Sequence, residues 1–208
     1  MKYKIVISLF VFFVAGYSAK SQDSKMSINL NYNYSFPLSD FKSNLVGNAS
    51  PRGFTGNILY HANPILSIGL GFGYQDYFQK YPRQVYNYGQ SQQISAVLSN
   101  SVQTIPVMAR VEFSPFLKTL TSVRPYVSAA AGANFISNTQ YLGEFSNPSN
   151  STGFIAQGGF GIKIPFMKFN NWGADIGGTY NYAPYKKFGY KNLDNVNVHA
   201  GIYFNLSE

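Results

Sequence analysis

Few residues in this chain are equipped for chemistry. Its 208 residues hold two histidines, His61 and His199, and no cysteine. A hydrolytic site needs a nucleophile, a base and an acid within hydrogen-bond reach of one another. A zinc site needs three or four Cys, His or carboxylate ligands converging on one point. Neither arrangement is legible: His61 falls in the short turn His61-Ala62-Asn63-Pro64, His199 falls in the middle of a strand, and no loop carries a histidine. No glycine-rich phosphate motif is present. Gly69, Gly71 and Gly73 alternate along one strand, on a face where they relieve crowding. No catalytic, cofactor-binding or metal-binding residue is therefore assigned, no cofactor is expected, and the chain reads as a non-enzyme.

The remaining reactive candidates are charged, and their meaning depends on the elements that carry them. The stretch SINLNYNYSF (27–36) sets Ile28, Leu30, Tyr32, Tyr34 and Phe36 against Ser27, Asn29, Asn31, Asn33 and Ser35. Alternation with period 2 predicts a strand with one apolar and one polar face. The same pattern predicts strands near 26–36, 53–61, 65–78, 102–113, 124–135, 153–164, 172–182 and 195–206. In this register Arg110, Glu112, Lys163 and Asp175 share the polar face near one end. Two cations and two anions at one level can pair, as buried charges require, and they read as a structural plug.

Composition supports strands. Charged residues make up 12% and aromatic residues 17% of the chain. Low charge with abundant Tyr, Phe, Gly and Asn suits strands and tight turns, and it excludes disorder, which needs high charge and few aromatics. The first residues read as a secretory signal over 1–21: Lys2 and Lys4, an apolar run from Ile5 to Ala15, then Ala19-Lys20-Ser21 before Gln22. Residues 22–208 form one domain. Removing Lys2, Lys4 and Lys20 lowers the formal charge from +8 to +5, which is weak support for a polyanion partner and none for nucleic acid. With no cysteine, lipid attachment and disulfides are both excluded.

The apolar face must point outward. About forty apolar side chains, many bulky, exceed what the interior of an eight-stranded barrel can hold. The polar faces carry Gly, Ser, Ala, Asn and Thr, which fit a narrow lumen. Aromatic residues gather at strand ends, where interfacial girdles belong: Tyr34, Phe36, Tyr74, Phe113, Phe135, Phe154, Trp172, Tyr180 and Tyr182. The expected fold is all-β, an eight-stranded antiparallel up-and-down barrel in the outer membrane with both termini periplasmic. A secreted, lipocalin-like barrel is the soluble alternative. Connections alternate between short turns and longer loops, the longest near 79–101. Lys42, Arg52, Lys80, Arg83, Lys186, Lys187 and Lys191 give the loop end a cationic rim against Asp40, Asp76, Glu144 and Asp194. That rim could face lipopolysaccharide phosphates.

Two stretches carry a resemblance. QTIPVMARVEFSPF (103–116) and VRPYVSAAAGANF (123–135) resemble the PorT-like outer-membrane β-barrel domain of Bacteroidota. The resemblance implies the same eight-stranded barrel. It implies no single activity, since members include a component linked to type 9 secretion, and it carries over no functional residue. The end of the chain, with His199, Gly201, Phe204 and Leu206, resembles the C-terminal signal read by the barrel-assembly machinery. The expected role is a structural or accessory subunit of an envelope complex for secretion or barrel assembly. The alternatives are a narrow conduit or binding barrel for small apolar molecules, and an adhesin using loops such as YPRQVYNYGQSQQ (81–93).

Overall fold

In the computed structural model the described residues are 26–88, 92–115, 123–143, 145–166, 172–185 and 191–206. The leader expected over 1–21 lies outside them. The elements in chain order are β1 (Met26–Pro37), α1 (Ser39–Asn44), β2 (Ser50–Asn63), β3 (Leu66–Lys80), β4 (Gln84–Tyr88), β5 (Gln92–Ala96), β6 (Leu98–Phe113), β7 (Arg124–Leu142), β8 (Phe145–Pro165), β9 (Trp172–Tyr182) and β10 (Asn195–Leu206). Eight strands close a ring in the order β1-β10-β9-β8-β7-β6-β3-β2, and β4 pairs with β5 as a separate hairpin. Every pairing is antiparallel. β10 pairs with β1 from Pro37–Asn195 to Met26–Leu206, which closes the barrel and leaves no edge at that seam.

The polar face is the inner one. Along β1, Ser27, Asn29, Asn31, Asn33 and Ser35 are buried, while Leu30, Tyr32, Tyr34 and Phe36 are exposed. The exposed apolar residues form a belt around the wall, and β1, β9 and β10 each supply a run of the length a tilted strand needs to cross a bilayer. Aromatic pairs mark its rims: Phe54 stacks on Tyr74 at 5.8 Å, and Trp172 sits between Phe166 at 5.0 Å and Phe204 at 6.4 Å. Among the described residues no helix is long and apolar enough to cross a membrane.

Several strands outrun their expected limits. The segment expected as the longest loop, near 79–101, contains the end of β3, the β4–β5 hairpin and the start of β6. β7 continues past residue 135 to Leu142, and β8 starts at Phe145 rather than near 153. The chain reverses at Gly143, whose φ of 63° is the left-handed conformation that favours glycine. Alternation fails as a signal here because the outer face turns polar above the belt: Ser137-Asn138-Thr139-Gln140 is extended without an apolar stripe. Strands β3, β6, β7 and β8 thus rise together beyond the membrane, by about 20 Å for the last turn-ward stretch of β7. His61, expected in a turn, lies on β2, where its Nδ1 is 2.7 Å from Ser67 Oγ on β3.

Candidate functional site

The lumen holds the charged residues picked out by sequence. Arg110 and Glu112 lie on β6, Lys163 on β8 and Asp175 on β9, and all four are buried at the end of the barrel where β1 begins and β10 ends. Lys163 Nζ forms an ion pair with Glu112 Oε1. The same ammonium lies 5.0 Å from the Tyr126 ring centre and 5.9 Å from that of Tyr203, within cation–π range.

Arg110 and Asp175 do not join that pair directly. Arg110 donates from Nη1 to Gln157 Oε1 at 2.9 Å and from Nη2 to Ser128 Oγ at 2.9 Å. Asp175 accepts from Asn31 Nδ2 at 3.1 Å and from the Tyr126 hydroxyl at 2.8 Å, and His199 Nε2 lies 3.9 Å away. The reason lies in the small residues between partners. Ala130 stands between Arg110 and Gln157 in register, and Gly201 stands between Asn31 and Asp175. Each missing side chain lets its neighbours reach across. Gly161 and Gly177 likewise separate Tyr126 from His199, whose hydroxyl and Nε2 meet at 3.1 Å. A Cβ on Gly161 would sit 2.6 Å from the Tyr126 hydroxyl, so glycine is required there.

A chain of amides climbs from Arg110 toward the opposite end. Gln157 Nε2 donates to Asn181 Oδ1 at 2.8 Å, and Asn181 Nδ2 donates to Asn195 Oδ1 at 2.7 Å. Ser35 Oγ donates to Asn195 Oδ1 at 3.4 Å and lies 2.6 Å from the Tyr77 hydroxyl. Because Arg110 has only donors, it turns the Gln157 oxygen toward itself and thereby sets the direction of each amide above. Sequence reasoning missed this ladder. Its signal was the asparagines at alternate inward positions, interpretable only once the register was known.

Above the ladder the lumen turns apolar. Phe41, Leu45 and Val46 from α1 and its exit, with Ala183, Tyr185 and Leu193, pack over Tyr77, Val102, Ile136 and Ile155. Phe41 meets the Tyr77 ring edge-on at 4.8 Å. Leu38 N donates to Asp194 O at 2.9 Å, Lys191 N to Asp40 Oδ2 at 2.6 Å, and Asn100 Nδ2 to Leu45 O at 3.0 Å, tying this cap to the wall. Between cap and charge cluster lie two cavities of about 30 and 10 Å³, room for about two waters in the larger and at most one in the smaller. Among the described residues no group of three His, Cys, Asp or Glu side chains is placed to hold a metal ion.

On the wall, His199 and Gly201 face inward, whereas Phe204 and Leu206 are exposed on the outer belt. A Cβ on Gly201 would collide with the carbonyl oxygen of Leu30, so β1 and β10 approach closely at the closing seam. Of the expected cationic rim, Arg52 pairs with Asp76 at 3.4 Å, while Asp194 accepts from Ala183 N at 2.9 Å. Lys186, Lys187 and Glu144 lie outside the described residues.

A closed antiparallel ring with a polar filled interior and an apolar aromatic-edged exterior defines an integral outer-membrane β-barrel. The chain belongs to the outer membrane protein beta-barrel domain family, whose model matches residues 5–205. No curated protein matches it by sequence. Among solved structures it is similar to Neisserial surface protein A, at 16% identity and TM-score 0.56 over 90% of this chain and 100% of the other. It is also similar to the outer membrane protease OmpT from Escherichia coli, at 10% identity and TM-score 0.50 over 91% and 99%. At such identities these likenesses establish the fold alone, and one of the two neighbours being a protease keeps fold from deciding activity.

Proposed function

We propose that this protein is a non-enzymatic structural or accessory subunit of a larger envelope complex, with both termini in the periplasm and the raised strands outside the cell. The observation that carries this reading is the contrast between lumen and exterior. Among the described residues the lumen is filled by its own side chains from charge cluster to cap. Four strands meanwhile extend beyond what crossing a bilayer requires. A filled barrel works through its outer surfaces, and elements longer than the scaffold needs are where binding resides. The conduit alternative finds little support in cavities of about 30 and 10 Å³.

In this reading Arg110, Glu112, Lys163 and Asp175 plug the periplasmic mouth. His199, Gly201, Phe204 and Leu206 address the chain to the barrel-assembly machinery. The resemblance of 103–135 to the PorT-like domain suits a secretion or barrel-assembly complex as the larger assembly. A mild-detergent pull-down of the tagged protein from its native envelope, followed by mass spectrometry, tests the proposal. A stoichiometric set of outer-membrane partners is expected; a folded monomer recovered alone overturns it. Orientation has its own test, because the chain has no cysteine of its own. A membrane-impermeant maleimide should label Ser146→Cys in intact cells and Ala62→Cys only after permeabilisation.

A further inference from the structure

The raised sheet has an outer face that the barrel does not need. Above the row formed by Ile105 and Phe135, pairing places Gln103 beside Ser137, then Ser101 beside Thr139, with Phe78 next to Ser101 and Tyr141 one row higher. The rows are about 7 Å apart and the strands about 4.8 Å apart. Phe78 and Tyr141 are each 43% exposed. The nearest charge in the first row, Asp76, is already paired with Arg52.

We infer that this face binds the sugar portion of glycolipids in the same leaflet whose acyl chains meet the belt below. The inference rests on the proposed orientation, not on the accessory role. Its first support is continuity. The outer face of β6 and β7 runs without a break from Val107, Ile105 and Phe135 into the polar rows, so a lipid lying against the belt carries its headgroup onto them. The second support is chemistry. Amide and hydroxyl side chains supply the donors and acceptors that neutral sugar hydroxyls need. Isolated exposed rings supply apolar faces for the C–H side of a pyranose. A phosphate would call for a fork of converging arginine or lysine donors; here Arg52 is already paired with Asp76, and Lys80 is a single amine at the β3 edge of the row that holds Tyr141. A protein partner would call for a contiguous apolar centre, and here two rings stand apart among polar residues.

The test uses the full chain folded in nanodiscs, titrated with purified glycolipid bearing its core sugars, with the same lipid stripped of sugars, and with free core oligosaccharide. The intact glycolipid should bind at least ten-fold more tightly than either fragment. Phe78→Ala with Tyr141→Ala should erase that advantage and leave binding of the stripped lipid unchanged. Thr139→Lys, which keeps the aromatics and intrudes into the rows, should do the same. Heat-modified gel mobility verifies that each variant is folded. Equal binding of intact and stripped lipid, or variants that bind as the parent does, overturns the inference. Free oligosaccharide binding as tightly as the intact glycolipid also overturns it, since the face would then serve a soluble or foreign glycan. Maleimide labelling fails or succeeds separately, so a wrong orientation is distinguishable from a wrong ligand.

Discussion

Removing the Glu112 carboxylate exposes the energetics of the lumen most directly. In the parent, Lys163 is 8% exposed, its ammonium satisfied by Glu112 and flanked by the Tyr126 and Tyr203 rings. Glu112→Leu leaves that ammonium buried without its anion. Breaking one partner of a buried pair costs about 3–5 kcal/mol. The two rings return part of this, about 1 kcal/mol, so a net loss of about 3 kcal/mol is expected. Replacing both partners with apolar residues of similar volume, Glu112→Leu with Lys163→Met, removes the stranded charge and should cost under about 1 kcal/mol. The assay is reversible urea unfolding in lipid vesicles, followed by tyrosine and tryptophan fluorescence and analysed as a double-mutant cycle. The reasoning is refuted if the single variant unfolds at the parent midpoint. It is equally refuted if the double variant loses the sum of the two single losses, because the pair would then be uncoupled.

Other perturbations probe separate parts of the molecule. Gly161→Val forces a side chain into the Tyr126 hydroxyl and should destabilise the barrel by roughly 2 kcal/mol or more through overpacking; the same urea assay measures it, with Gly158→Ala, where a Cβ meets open space, as the near-silent control. Phe41→Ala should empty the cap over Tyr77 and raise amide exchange across 38–46 while leaving exchange in β9 and β10 unchanged, as hydrogen–deuterium exchange would record. Val107→Arg sets a charge on the outer belt and should cost about 2–4 kcal/mol near the bilayer midplane, against almost nothing for Ser146→Arg beside Tyr141 on the raised part of β8. Phe204→Ala should slow assembly into membranes by purified barrel-assembly machinery with little effect on the stability of barrels already folded, a separation visible in the rate of heat-modified band formation.

What sequence made legible divides along a physical line. Wherever lipid lies on one side and a narrow lumen on the other, selection of side chains must alternate, and period 2 exposes the strand. Hence SINLNYNYSF and the faces of β6, β9 and β10 were readable residue by residue, together with the inward position of Arg110, Glu112, Lys163 and Asp175. Above the belt the outer face no longer meets lipid, an apolar stripe there carries no free-energy advantage, and Ser137 to Leu142 looked like loop although it is strand. Inside the lumen the difficulty is different. Which inward residues touch depends on register and on gaps, and a gap is a residue with nothing to show. Arg110 reaches Gln157 because Ala130 is small; Asp175 reaches Asn31 because Gly201 has no side chain; Tyr126 reaches His199 over Gly161 and Gly177. The expectation of four mutually paired charges considered only the charges. The small residues decide the partners, so the inward Gly and Ala positions specify the polar network as much as its polar members do. A substitution at one of these gaps should therefore rewire hydrogen bonds two strands away, whereas the same substitution on the lipid face should not.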